Sequence, residues 1–96
     1  MSILLVGGHD RMHDTYKGIG SKFGHKVKVF TQRPSKFEKV IGKPDAIVLF
    51  TNTVSHSMVS VAVKEAKRKN IPVIRCHNSS AVSLESSIKM LESSIL

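Results

Sequence analysis

The sequence predicts a small α/β domain: a four-stranded parallel sheet in the order 2-1-3-4 with helices on both faces. Three observations predict it. Strand-like and helix-like segments alternate four times along 96 residues, as in a layered α/β domain. Two of the strand-like segments, Ile3-Leu4-Leu5-Val6 and Ala46-Ile47-Val48-Leu49-Phe50, are uninterrupted apolar runs, the pattern of strands covered on both faces. A third, Lys26-Val27-Lys28-Val29-Phe30, alternates polar and apolar, and its lysines suit an edge. Right-handed crossovers with the first strand central then give the order, which is half of a doubly wound, Rossmann-like or flavodoxin-like fold. Residues 1–96 read as one domain, with no linker and no internal repeat.

Each element has its own signal. Gly7-Gly8 follows the first strand and lets the backbone turn sharply. Asp10 to Phe23 then places Met12, Tyr16, Ile19 and Phe23 on one helical face, with Gly24 to end it and Gly18 and Gly20 weakening its second half. After the second strand Pro34 breaks the chain. Ser35-x-x-Glu38 is a capping-box pattern for a short helix through Ile41, closed by Gly42. The loop Thr51-Asn52-Thr53-Val54-Ser55-His56 follows the third strand. It leads into a helix reaching about Lys69, with Val54, Met58, Val61, Ala62 and Ala66 inward and Lys64, Glu65, Arg68 and Lys69 outward. Asn70 is its stop. Pro72 to Cys76 is the fourth strand, and the last helix stacks Leu84, Ile88, Leu91 and Ile95.

Composition excludes several classes. With 41% hydrophobic and 23% charged residues the chain is neither disordered nor membrane-spanning. No apolar run approaches the roughly 20 residues of a membrane helix, and the N-terminus does not read as a secretory signal. A single cysteine, Cys76, allows no internal disulfide and fits a cytoplasmic setting. The net charge of +8 invites an acidic partner, but the basic residues are spread over several segments. The five aromatics do not interleave with the lysines as a base-stacking platform would, so specific nucleic-acid binding is not expected.

The topology sorts the histidines. His9, His56 and His77 follow strands one, three and four and fall at the carboxyl edge of the sheet, where open α/β sheets place their ligands; His25 belongs at the opposite end. His13 would share a helical face with His9 if the helix started early enough. Three chemistries could use this edge. Imidazole is a common ligand for metals and for haem iron, with Met12, Met58 and apolar helix faces to line a slot and lysines to meet propionates. Gly7-Gly8 and the helix openings offer amides to a phosphate or nucleotide-like anion. Acid–base catalysis by His9 or His56 comes last: the serines form no nucleophile elbow, and Cys76 and His77 point to opposite faces. The glycines match neither the dinucleotide fingerprint nor the Walker spacing. Their better reading is that they clear space beside a histidine-centred pocket.

Val6-Gly7-Gly8-His9, Tyr16, Asp45, Thr51-x-x-x-Ser55-His56 and the stretch Val63 to Val73 resemble a bacterial family, the domain of unknown function numbered 2325, over nearly the whole chain. The resemblance implies haem and dioxygen binding by a small oligomer. Carried over by position, it implicates His9 and His56 as metal ligands, one of the two axial, with Tyr16, Thr51, Asn52 and Ser55 as pocket neighbours. Gly7, Gly8 and Met12 join this set from the reading of the turn and slot. The leading expectation is thus a non-enzymatic ligand-binding module, most concretely a haem protein in which Thr51, Asn52 or Ser55 donates a hydrogen bond to a diatomic ligand. A chain this short leaves little room for a large cofactor, so a homodimer or small homo-oligomer holding it between protomers is the companion expectation. The alternatives are an anion-binding regulatory domain and a protein-interaction domain in which the edge histidines only order loops.

Overall fold

The two uninterrupted apolar runs form the two central strands. In the computed structural model, which describes residues 1–95, the strands are β1 (Ser2–Val6), β2 (Lys26–Phe30), β3 (Ala46–Phe50) and β4 (Val73–Cys76). They form one parallel sheet in the order β2-β1-β3-β4, as the alternation and crossover rule predict. Every residue of β3 is buried, as is β1 from Ile3 to Val6.

Alternation along these strands feeds two cores. Ile3, Leu5, Val27, Val29, Ala46, Val48 and Phe50 point to one face, where they meet Tyr16 of α1 (His13–Lys22) and Leu84, Ile88 and Leu91 of α4 (Ala81–Ile95). Leu4, Val6, Ile47 and Leu49 point to the other, where they meet Phe37 of α2 (Phe37–Val40) and Met58, Ala62 and Ala66 of α3 (His56–Lys69). The stripe expected on the last helix is present through Leu91; the side chain of Ile95 lies outside the described residues.

Three local expectations are corrected. The first helix opens as a 3-10 turn over Asp10–Met12, and the α-helix proper starts only at His13, so His9 and His13 do not share a helical face. The Asp10 carboxylate accepts from the side chains of Thr31 and Gln32. The capping box at Ser35 does not form: the residue before α2 is Lys36, in a left-handed conformation at φ 54°, and no side chain caps the helix. Burial of Phe37 under Phe30, with ring centroids 5.4 Å apart, holds this single turn instead. Glu65, expected outward, is buried at 7% exposure, since Arg68 and Lys69 fold back onto it. Gly20, read as a weak point of its helix, also has a packing role. A Cβ there would lie 2.2 Å from Val27 Cγ2, so the glycine lets α1 sit close on β2.

Candidate functional site

The carboxyl edge divides into two unlike halves. Over the α1/α4 face the loops are stitched shut. Gly7 and Gly8 have φ of 102° and 92°, backbone that L side chains rarely adopt, and a Cβ on Gly8 would fall 2.7 Å from the Tyr16 ring. The Tyr16 side chain is fully buried, its ring 5.5 Å from that of Phe50, and its hydroxyl donates to the Ser79 carbonyl at 2.7 Å. Gly8 N–H donates to Thr53 Oγ1 at 2.7 Å; Thr53 Oγ1 meets Ser79 Oγ at 2.8 Å; Ser79 Oγ donates to Asn52 Oδ1 at 2.6 Å. The loops after β1, β3 and β4 are thereby joined through one small polar network.

This network uses the groups that a ligand would need. Gly7 N–H donates to Phe30 O at 2.9 Å, Gly8 N–H to Thr53, and His9 N–H to the Tyr16 hydroxyl at 3.4 Å. The turn therefore has no free amide among those three for an anion. The glycines make room for Tyr16 and Phe50. Met12 is half-buried with its sulfur 3.6 Å from the same hydroxyl, and the His9 side chain stands exposed outside the network. The helix openings are likewise occupied in part: Ser55 Oγ accepts from Met58 N–H at 3.3 Å, and Ser80 Oγ from Ser83 N–H at 3.1 Å.

Over the α2/α3 face the edge is open. A groove of about 540 Å³ runs between α3 and the edge strand β4, lined by His56, Val59, Ser60, Val63, Lys64, Lys67 and Arg75. A second concavity of about 230 Å³ adjoins it, sharing His56, Val59 and Arg75 and adding Thr51 and Val54. Alternation explains Arg75: Val73 packs with the α2/α3 core, and Arg75, two residues on, leaves β4 on the same side. His56 is the first residue of α3, and its exposed imidazole belongs to both concavities. Val59 and Val63, four apart, give the helix a half-buried apolar flank. Among the described residues Lys64, Lys67 and Arg75 have no carboxylate within ion-pair distance, whereas Arg68 and Lys69 are taken by Glu65.

The expected site residues thus separate. His56 and Thr51 line the open side, with Ser55 capping the helix beside them. Gly7, Gly8, Met12, Tyr16 and Asn52 belong to the stitched side. Neither concavity lined by His56 includes His9. His77 is exposed after β4, and His25 lies at the far end, its Nε2 2.7 Å from Glu92. Sequence reasoning missed Arg75, Lys64, Lys67, Val59, Ser60 and Val63 as site residues. An arginine alternating with Ile74 and Cys76 in a short strand was the available signal.

Fold and edge together define a doubly wound α/β domain with an open, basic, histidine-bearing groove beside its last strand. Residues 2–91 match the family described as an uncharacterized protein conserved in bacteria (DUF2325), and the chain belongs to that family. No curated protein and no solved structure matches it.

Proposed function

We propose that the chain is a non-enzymatic binding module for a flat, apolar, anionic ligand, with haem as the most concrete case and His56 as the axial residue. The observation that supports this is the groove: one imidazole, a valine wall and three cations with no carboxylate within ion-pair distance among the described residues, in a volume typical of small-molecule sites. The donor set fits haem. One imidazole beside an apolar wall and nearby cations is what haem would need for its iron, its ring and its propionates. Val59 and Val63 would lie against the ring. Arg75, Lys64 and Lys67 would meet the propionates. Haem, when bound, would supply the iron chemistry; Val59 and Val63 would supply the apolar face, Arg75, Lys64 and Lys67 the charge, and His56 the nitrogen that holds the iron.

His56 is favoured over His9 because it is the histidine that the groove contains. The groove is open and covers one face of such a ligand, so a second protomer covers the other, and a homodimer or small homo-oligomer belongs to the proposal. Titration of the purified chain with ferric haem, read at the Soret band, tests it. A saturable shift is expected, weakened about five- to tenfold by Arg75→Glu through loss of a partly exposed charge pair. Absence of a saturable shift would overturn the reading.

A further inference from the structure

The sequence spreads its basic residues over many segments, but the fold gathers them. Outside residues 26–76 there are four cations (Arg11, Lys17, Lys22, Lys89) and four carboxylates (Asp10, Asp14, Glu85, Glu92), so that part of the chain is neutral. Residues 26–76 hold the other eleven cations, eight of them lysines, against Glu38, Asp45 and Glu65. The whole net charge of +8 therefore resides on β2, α2, α3, β4 and their loops.

The helices among these elements, α2 and α3, lie on one side of the sheet. On β2, Val27 and Val29 point into the α1/α4 core, so Lys26 and Lys28 leave the strand on the α2/α3 side. Arg75 does the same at the opposite edge. The single turn of α2 is too short to cover β2, and Lys28 reaches across the gap to donate to Val40 O at 3.0 Å. Lys39 and Lys43 are exposed on and just after α2. Of the three carboxylates in this span, Glu65 is already neutralised by Arg68 and Lys69, and Asp45 accepts from the Ser2 amide.

We infer that this layer docks on the phosphate backbone of duplex nucleic acid, without reading sequence. Lysines dominate, and they act as point charges toward phosphates rather than as bidentate readers of base edges. The layer reaches from one sheet edge to the other in a molecule 30 Å across, which suits a rigid polyanion carrying about one charge per 1.7 Å of axis. Single strands are not favoured, because Phe30 is half-buried and Phe37 fully buried, and no aromatic on this side stands out to stack on a base. A membrane surface is not favoured either: among the described residues the large exposed apolar side chains, Val82 and Met90, are both on α4, on the opposite layer. This surface extends well beyond the His56 groove and does not rest on what that groove binds.

Fluorescence anisotropy with a labelled mixed-sequence duplex of about 20 base pairs tests the inference at salt from about 50 to 200 mM. The wild-type chain should bind with a log–log salt slope of about −4 to −6, the signature of roughly five or six phosphates neutralised. Two triple variants of equal net charge separate the layer from bulk charge. Lys26→Glu/Lys39→Glu/Lys43→Glu lies on the basic layer and outside the groove; Arg11→Glu/Lys17→Glu/Lys89→Glu lies on the neutral one. The first should lose about tenfold or more in affinity and the second about twofold or less, with both melting near the wild-type temperature. Equal losses from the two triples would overturn the inference. So would undetectable binding at the lowest salt, or equal or tighter association with poly-glutamate or with phosphatidylserine vesicles.

Discussion

Gly8 and Tyr16 show how a single residue position is decided by a partner far away in sequence. Gly8 is fixed by two independent constraints: a φ of 92° and a Tyr16 ring where a Cβ would go. Gly8→Ala should therefore destabilise the fold by at least about 2 kcal/mol, read as a fall in thermal midpoint. Tyr16→Phe keeps the ring and removes only the hydroxyl, leaving the Ser79 carbonyl without its donor; the expected cost is about 1–2 kcal/mol. A Gly8→Ala protein as stable as wild type would contradict the role given to that turn. The Gly-Gly-His segment was legible in the sequence as a special turn. Its reason was not, because the atom that excludes a side chain at Gly8 comes from a helix that follows, and no local pattern reports such a contact.

At the scale of elements, α3 carries an ion-pair group that sequence pattern placed outward. The Glu65 carboxyl is held below its ordinary value first by the hydrogen bond from Arg68 and then by the charges of Arg68 and Lys69, against burial, which acts the other way. A carboxyl lowered by folding stabilises the native state above its unfolded value and loses that contribution as pH falls through the folded one. Glu65→Gln should thus melt below wild type at neutral pH, and the gap should close as pH drops below about 4.5, the ordinary value. A gap that does not change with pH would show that packing alone sets the difference. The ends of α3 were readable: Ser55 caps the start, and Asn70, left-handed at φ 57°, ends it. The start of α2 was not. Ser35 and Glu38 have the right spacing, but the turn is set by the buried Phe37, and tertiary packing overrode a local cap.

Over the whole molecule, strand order and layering followed from hydrophobic runs and crossover handedness, because those constraints act along the chain. The division of the carboxyl edge did not. Sequence order brings His9, His56 and His77 to one edge, but which histidine faces an open groove depends on which loops Tyr16, Thr53 and Ser79 close. Charge behaved similarly: segments far apart in sequence converge on one layer, and only the parity of β2 and β4 about the sheet reveals it. Both proposed surfaces thus arise from how the sheet is covered, fully over α1 and α4, incompletely at the edges beside α2 and α3.

His56, in the groove between α3 and β4, is the histidine proposed to hold the ligand. The most direct measurement is a haem titration of His56→Ala beside His9→Ala, followed at the Soret band, with both folds checked by thermal melting. His56 and His9 are both exposed, so neither substitution should lower stability by more than about 0.5 kcal/mol. His56→Ala should abolish the saturable shift, and His9→Ala should leave it within about twofold of wild type. A shift lost with His9→Ala and retained with His56→Ala would contradict that proposal.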